Sequence, residues 1–181
     1  MTARVKLGAQ ALAVGLVLGL LALLIWKVAQ GNAGGVASKI DHGKIVPAPN
    51  FTLGRLDRGG RLQLAALKGK PVVLNFWASW CYPCNQEAKT LESASRQWSG
   101  KATLVGVDVR DATGEARTFL RHHGITYPAV HDSNDKMWPT WGLTGVPETF
   151  FVDRRGRVIA HVMGQISASD LRQGIEEALR S

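Results

Sequence analysis

Val72-Val73-Leu74-Asn75-Phe76-Trp77-Ala78-Ser79-Trp80-Cys81-Tyr82-Pro83-Cys84 is the stretch on which the fold turns. Its first half is a near-continuous apolar run, the pattern of a strand buried on both faces. Its second half sets two cysteines, three apart, where that strand gives way to a helix expected from Cys81 to about Trp98. At a helix N-terminus, unpaired N–H groups and the positive end of the dipole favour a thiolate on Cys81. Lowering a thiol pKa from about 8.5 to about 7 needs roughly 2 kcal/mol of preference for the anion, which such groups can supply. Cys84 at i+3 shares the helix face and can attack a mixed disulfide formed on Cys81. Pro83 fits the first turn, where its missing N–H is no loss.

Other uses of two cysteines fit less well. A structural disulfide would close a four-residue loop and restrict the unfolded chain little. Covalent haem attachment needs His directly after the second Cys, where Asn85 stands. His42, His122, His123, His131 and His161 have no zinc-site spacing apart from one adjacent pair, which reads as a polar helix end.

Outward from the dithiol, Phe51 to Leu56 and Arg61 to Leu64 alternate around Asp57-Arg58-Gly59-Gly60, a hairpin signal. Ala102 to Val109 is a second buried strand, and Ala112 to His123 is a helix ended by Gly124. A short strand at Tyr127 to Val130 and a helical turn at Lys136 to Trp141 follow. Thr149 to Val152 and Arg157 to Val162 form a hairpin across Asp153-Arg154-Arg155-Gly156, and Ser169 to Arg180 is a closing helix with Ser167 or Ser169 as N-cap. This order predicts an α/β domain with a central sheet, parallel in its first half, and helices on both faces.

The chain has 181 residues, 22 basic and 14 acidic, for a net charge of +8. Past Lys27 the balance is 19 basic to 14 acidic, or +5. With no basic stripe or nucleic-acid motif, this surplus reads as solubility and attraction to a membrane surface. The mixture excludes a collagen, a disordered tail, a disulfide-rich mini-scaffold and a polytopic membrane protein.

Leu7 to Trp26 is an uncharged apolar block of twenty residues, about 30 Å as a helix and thus one bilayer core. It is longer than the apolar core of a secretory signal, about 7 to 15 residues. Arg4 and Lys6 flank it in front, with Trp26 and Lys27 behind. The expected organisation is therefore an N-terminus at 1–6, a transmembrane anchor at 7–27, a flexible Gly/Ala-rich linker at 28–46 and one domain at 47–181, whose 135 residues suffice for a single core.

Gly69 to Cys84, together with Gly145-Val146-Pro147-Glu148-Thr149-Phe150-Phe151-Val152-Asp153, resembles the membrane-anchored thioredoxin-like thiol-disulfide oxidoreductases of bacteria, of the ResA, CcmG (DsbE) and TlpA type. The resemblance covers Pro47 to about Ser181. It implies a thioredoxin-like fold with an N-terminal β-hairpin extension and a central helix-strand insertion, preceded by one transmembrane helix. It also implies residues 1–6 in the cytoplasm and the domain on the outer side of the cytoplasmic membrane. The implied activity is reduction of client disulfides, apocytochrome c above all, with re-reduction by a CcdA- or DsbD-type membrane donor and no cofactor beyond the redox-active disulfide.

Residue by residue, the resemblance implies Cys81 and Cys84 as the catalytic dithiol and Glu87 as the active-site carboxylate that takes the Cys84 proton. Asn75 stands where cytoplasmic thioredoxins carry a buried Asp. Pro147 matches the family's cis-proline and leaves the backbone of Val146 open to an extended client segment. Glu148 matches the Pro-Glu-Thr pattern of the CcmG branch, read here as a client-binding residue or a rim charge. Trp80, directly before the dithiol, matches a Trp on the exposed rim of the family's site, and Trp80 and Tyr82 are implied as client-binding residues.

Three competitors stay open on sequence. The same dithiol serves a general disulfide oxidoreductase of secreted proteins. A peroxiredoxin-like peroxidase would need Thr or Ser three residues before the reactive Cys, where Ala78 stands. A Cu(I) chaperone could use the two thiolates, with His161 as a remote further ligand.

Overall fold

The computed structural model describes residues 2–31 and 35–181, and of the side chains before Gly35 it describes Gln10 and 12–27. The chain divides into two units, Met1–Gly34 and Gly35–Ser181. The first contains α1 (Thr2–Gly31), on which the large apolar side chains from Leu12 to Trp26 are about half to two-thirds exposed. Among the described residues no helix is long and apolar enough to cross a membrane.

The second unit opens with α2 (Val36–Asp41) and β1 (Val46–Pro47). The hairpin β2 (Thr52–Arg55) and β3 (Arg61–Gln63) is followed by a 3₁₀ turn at Leu64–Leu67. Then come β4 (Val72–Trp77), α3 (Tyr82–Gln97), β5 (Thr103–Val109), α4 (Thr113–His122) and β6 (Ala129–Asp132). The chain closes with α5 (Met137–Trp141), β7 (Glu148–Val152), β8 (Arg157–Met163) and α6 (Ala168–Arg180). Ser167 caps α6 in a reciprocal capping box with Asp170.

All eight strands form one sheet in the order β1-β8-β7-β4-β5-β6-β2-β3. The pairs β4–β5 and β5–β6 are parallel and the remaining pairs antiparallel. This is a thioredoxin-like sheet, with the hairpin extension joined at one edge through β2–β6. Strand alternation splits the core in two. Leu74 and Phe76 face the side covered by α2 and α5, where Val36, Trp141 and Phe150 pack with them. Val73 and Trp77 face the side covered by α3, α4 and α6, against Leu91, Phe119 and Ile175.

The linker expected at 28–46 is corrected by this arrangement. From Gly35 onward it is folded, because α2 buries Val36 and Ala37 in the core and β1 adds a strand beside β8. Gly35 makes that docking possible. A Cβ there would collide with the Cα of Gly142, so the two backbones meet where neither has a side chain. The strand expected at Tyr127 to Val130 instead runs Ala129–Asp132, set by its pairing with Gly106 to Val109.

Candidate active site

β4 ends at Trp77, and the residues that follow carry the chain into α3 with Cys81 as N-cap. The Cys81 sulfur accepts the N–H of Cys84 at 3.1 Å, so the capping role that Ser or Asp usually fills is taken by the sulfur itself. Cys81 and Cys84 are joined as a disulfide with Cα atoms 5.3 Å apart. Both are buried, while the neighbours Trp80 and Tyr82 are 61 % and 75 % exposed. Two exposed aromatic side chains thus flank the buried disulfide.

The turn before Cys81 is tied to the end of β5. Asp111 accepts the N–H of Ser79 at 2.5 Å and its hydroxyl at 3.0 Å, and the Trp80 indole donates to the carbonyl of Arg110 at 3.0 Å. Asn85 donates to the Cys81 carbonyl at 2.8 Å and meets His123 at 2.9 Å. His123 thus supports the first turn of α3, a role that its reading as a polar helix end did not include. A cleft of about 440 Å³ lies alongside, lined by Trp80, Asn85, Asp111 and the two adjacent histidines among others. A second cavity of about 220 Å³, lined by Val72, Val152 and Lys68 among others, lies at the opposite end of β4, away from the dithiol.

Across from Cys81, the Val146–Pro147 peptide is cis. The carbonyl oxygen of Val146 is 3.4 Å from the Cys81 sulfur. Beside it, Met163 is 61 % exposed and the N–H of Gly164 donates to the Pro147 carbonyl at 2.9 Å. Val146 thus meets the Cys81 sulfur directly, Trp80 and Tyr82 are its exposed chain neighbours, and Met163 lies next to the cis-proline on β8. Met163 was not singled out in the sequence; its place one residue past the expected strand end gave no signal.

Glu87 lies on the α3 side of the sheet and is 1 % exposed. Its carboxylate accepts Asn75 Nδ2 at 2.7 Å and the N–H of Ile166 at 2.8 Å. Asn75 is oriented in turn by Thr149, whose hydroxyl oxygen accepts its other N–H at 3.1 Å. Burial pushes the Glu87 pKa up to about 7 against the lowering effect of these two bonds. A group poised there can take or give a proton near neutral pH.

Glu148 lies on the opposite face, and the reading of it as a rim or client-contacting charge is corrected. It is 1 % exposed, because its register partner Phe76 turns it into the core beneath α2. Burial raises its pKa, but bonds from His161, Thr144 and Gly145 outweigh that and hold it below the usual carboxylate range. His161 has both ring nitrogens engaged, one by Glu148 at 2.9 Å and one by Asp41 at 3.0 Å, so it is no free copper ligand. Among the described residues no group of three His, Cys, Asp or Glu is placed to hold a metal ion.

Asp108 is a further buried carboxyl, fully buried at the register position opposite Trp77. It meets His131 Nδ1 at 2.6 Å. Burial, followed by the nearby carboxylates of Asp111 and Asp132, pushes its pKa up to about 9. A carboxylate inside the apolar run LVGVDV was the signal for it in the sequence.

Comparison with known proteins agrees with this geometry. The AhpC/TSA family matches residues 46–161. The chain is 30 % identical over 125 residues to the thiol-disulfide oxidoreductase ResA of Bacillus thuringiensis, covering 68 % of this chain and 72 % of that one. It is 35 % identical over 112 residues to the thiol:disulfide interchange protein HelX of Rhodobacter capsulatus, covering 61 % and 62 %. Among solved structures, a thiol:disulfide interchange protein of the thioredoxin family from Chlorobium tepidum superposes with a TM-score of 0.68 at 30 % identity, over 75 % of this chain and 97 % of that one.

Proposed function

The chain belongs to the AhpC/TSA family, within it to the thiol-disulfide oxidoreductases of the ResA and CcmG type, and from that premise we propose that it is a membrane-tethered reductant of apocytochrome c disulfides on the outer side of the cytoplasmic membrane. The observation that carries this reading is the Cys81 sulfur 3.4 Å from the Val146 carbonyl, beneath an exposed apolar rim and beside a cis-proline. An extended client segment can pair with the Val146 backbone there and bring its own disulfide onto Cys81.

In the reduced protein the Cys81 thiolate attacks one client sulfur. The client S–S bond breaks, a mixed disulfide forms, and the released client thiolate takes a proton. Cys84 then loses its proton to the Glu87 carboxylate and attacks the Cys81 sulfur. The second client sulfur leaves as a thiolate and takes up the proton that Glu87 had accepted, which restores the carboxylate, and the Cys81–Cys84 disulfide remains. Two electrons have passed to the client, and a thiol donor of the CcdA or DsbD kind in the membrane must restore them. Glu87, with its pKa near 7, suits the proton step. Cys81, Cys84 and Glu87 are the proposed catalytic residues. Trp80, Tyr82, Val146 and Pro147 form the proposed client surface.

The tether is part of the same proposal. Its support is the uncharged block Leu7 to Trp26 and the exposed apolar side chains from Leu12 to Trp26, which water alone would not favour. Against a peroxidase, Ala78 offers no hydroxyl three residues before Cys81 and is itself fully buried.

The test is covalent capture. Full-length Cys84→Ser expressed in its native membrane should accumulate mixed disulfides through Cys81. Adducts dominated by apocytochrome c support the proposal. A broad set of secreted proteins would replace it by a general reductase, and the absence of any adduct would refute the two-step exchange. A reduction potential above about −150 mV would instead indicate an oxidant, since strong oxidants lie near −120 mV and thioredoxin near −270 mV.

A further inference from the structure

Glu148 follows the cis-proline directly, and its two oxygens have separate duties. Oε1 accepts the Thr144 N–H at 2.7 Å, the Thr144 hydroxyl at 2.9 Å and the Gly145 N–H at 3.0 Å. Those donors belong to the two residues immediately before Val146. Oε2 faces His161 Nε2 at 2.9 Å, and His161 Nδ1 faces Asp41 at 3.0 Å. An imidazole with a carboxylate at each nitrogen satisfies both only by donating from both, which is the protonated form. Its ring stacks on Phe150 at 4.2 Å, and its side chain is 2 % exposed.

From these contacts we propose that His161 is a positioning residue for client docking: as an imidazolium it neutralises buried Glu148, fixes the Thr144–Gly145 backbone, and so holds Val146 and Pro147 in place for the client strand. The proposal rests on the reading of Val146 and Pro147 as the client surface. It also gives a purpose to α2, whose last residue is Asp41 and whose buried Val36 and Ala37 anchor it to the core. The brace runs from Asp41 through His161 and Glu148 to within one residue of Val146.

The charges that face His161 are few. Among the described residues it pairs with Asp41 from α2 and Glu148 from β7. Phe150 covers its ring, and β1, on the far side of β8, brings only Val46 and Pro47. Burial works against the imidazolium, but the bonds and charges of Glu148 and Asp41 outweigh it and raise the His161 pKa above 6.5. When the proton leaves, Asp41, 44 % exposed, can turn to water. Glu148 cannot. It stays buried beside a neutral ring, its charge uncompensated, and its hold on Thr144 and Gly145 weakens. Client affinity should therefore fall as pH rises through the His161 pKa.

The experiment uses the full chain in detergent micelles, reduced, with a synthetic peptide carrying an internal CxxCH disulfide. KM and kcat are measured from pH 5.5 to 8.5. The wild type should show KM rising about tenfold with a midpoint above pH 6.5. Asp41→Asn removes one of the two carboxylates and should move that midpoint to lower pH. His161→Gln keeps one N–H toward Glu148 without charge and should give a raised KM that no longer depends on pH, with a smaller effect on kcat. Thiol titration is common to all three proteins and cancels in the comparison. Identical KM profiles in the three would overturn the proposal. Should His161→Gln fail to fold, Asp41→Asn still decides, because Asp41 is at the surface. The amide resonances of Thr144 and Gly145, followed in the oxidised protein without client, should titrate with His161. If they do while no peptide is reduced, the client reading fails and the brace stands; if they do not, the brace fails.

Discussion

Replacing Glu87 by Gln should abolish one specific part of the pH dependence of stability. In the folded, oxidised protein Glu87 holds its proton up to about pH 7, whereas unfolded it ionises near 4.5. Between those values the native state binds more protons than the unfolded one, so stability falls as pH rises. The step from 4.5 to about 7, at about 1.4 kcal/mol per pH unit, amounts to roughly 3 kcal/mol. Near pH 4 the neutral acid and the neutral amide face the same two donors, Asn75 Nδ2 and the Ile166 N–H, the acid with acceptor capacity on both oxygens and the amide with one acceptor oxygen. The stability difference at pH 4 is therefore the reference from which the ionisation of Glu87 is read. By pH 8 the wild type carries a buried carboxylate where the Glu87→Gln protein carries a neutral amide, so relative to pH 4 the difference should shift in favour of the variant by up to roughly 3 kcal/mol. Denaturant unfolding of the oxidised full chain, followed by tryptophan fluorescence at half-unit steps from pH 4 to 8.5, measures this. Asp108, Glu148 and His161 titrate in both proteins, so the wild-type-minus-variant difference isolates Glu87. A difference constant across the range would refute the reasoning, since it would mean that Glu87 ionises in the fold as it does in water. The proton acceptor proposed for Cys84 would then have no special poise.

Other substitutions test the packing around the site. Glu148→Ala should destabilise the fold by about 3 to 5 kcal/mol, because it leaves buried His161 facing an empty space and strips the Thr144 and Gly145 donors of their acceptor; chemical denaturation at pH 6 reads this. Asp111→Ala should lose about 1 to 3 kcal/mol by freeing the Ser79 N–H and hydroxyl, and slow the first thiol exchange as the turn before Cys81 loosens; unfolding and single-turnover client reduction give the two numbers. Gly174→Ala would drive a Cβ into the Phe151 ring and should destabilise by about 1 to 3 kcal/mol, with Phe151→Leu in the same chain recovering part of the loss.

The sequence made legible whatever is local. The apolar run at 72–77 became β4, the turn signals at Asp57–Gly60 and Asp153–Gly156 became hairpin turns, and Ser167 became the cap of α6. Cys81 and Cys84, three apart at a strand-to-helix junction, needed no distant partner to be read. The brace on Glu148 is of the other kind. Asp41, His161 and Glu148 belong to three elements, and Asp41 is 120 residues from His161. A Glu after a proline reads as surface, and only the register Phe76–Glu148 on one side and Glu148–Met163 on the other turns it inward.

Glu87 and Glu148 were both named from the sequence, and the sheet separates their roles. Glu148 pairs with Phe76 and so faces α2, while the adjacent pair Asn75–Thr149 faces α3 and Glu87. One strand position therefore decides which carboxylate lies on the α3 side of the sheet and which on the α2 side. Their environments then diverge. Glu87 receives two N–H bonds and, among the described residues, has no cation beside it, so burial wins, keeping a proton available near pH 7. Glu148 receives three bonds and faces an imidazolium, and the partners win, keeping it ionised. The first arrangement suits a group that must exchange a proton in each cycle, the second a group that must not move. Exchanging the two environments, by placing a cation opposite Glu87 or removing one from Glu148, would exchange those properties without altering either carboxylate.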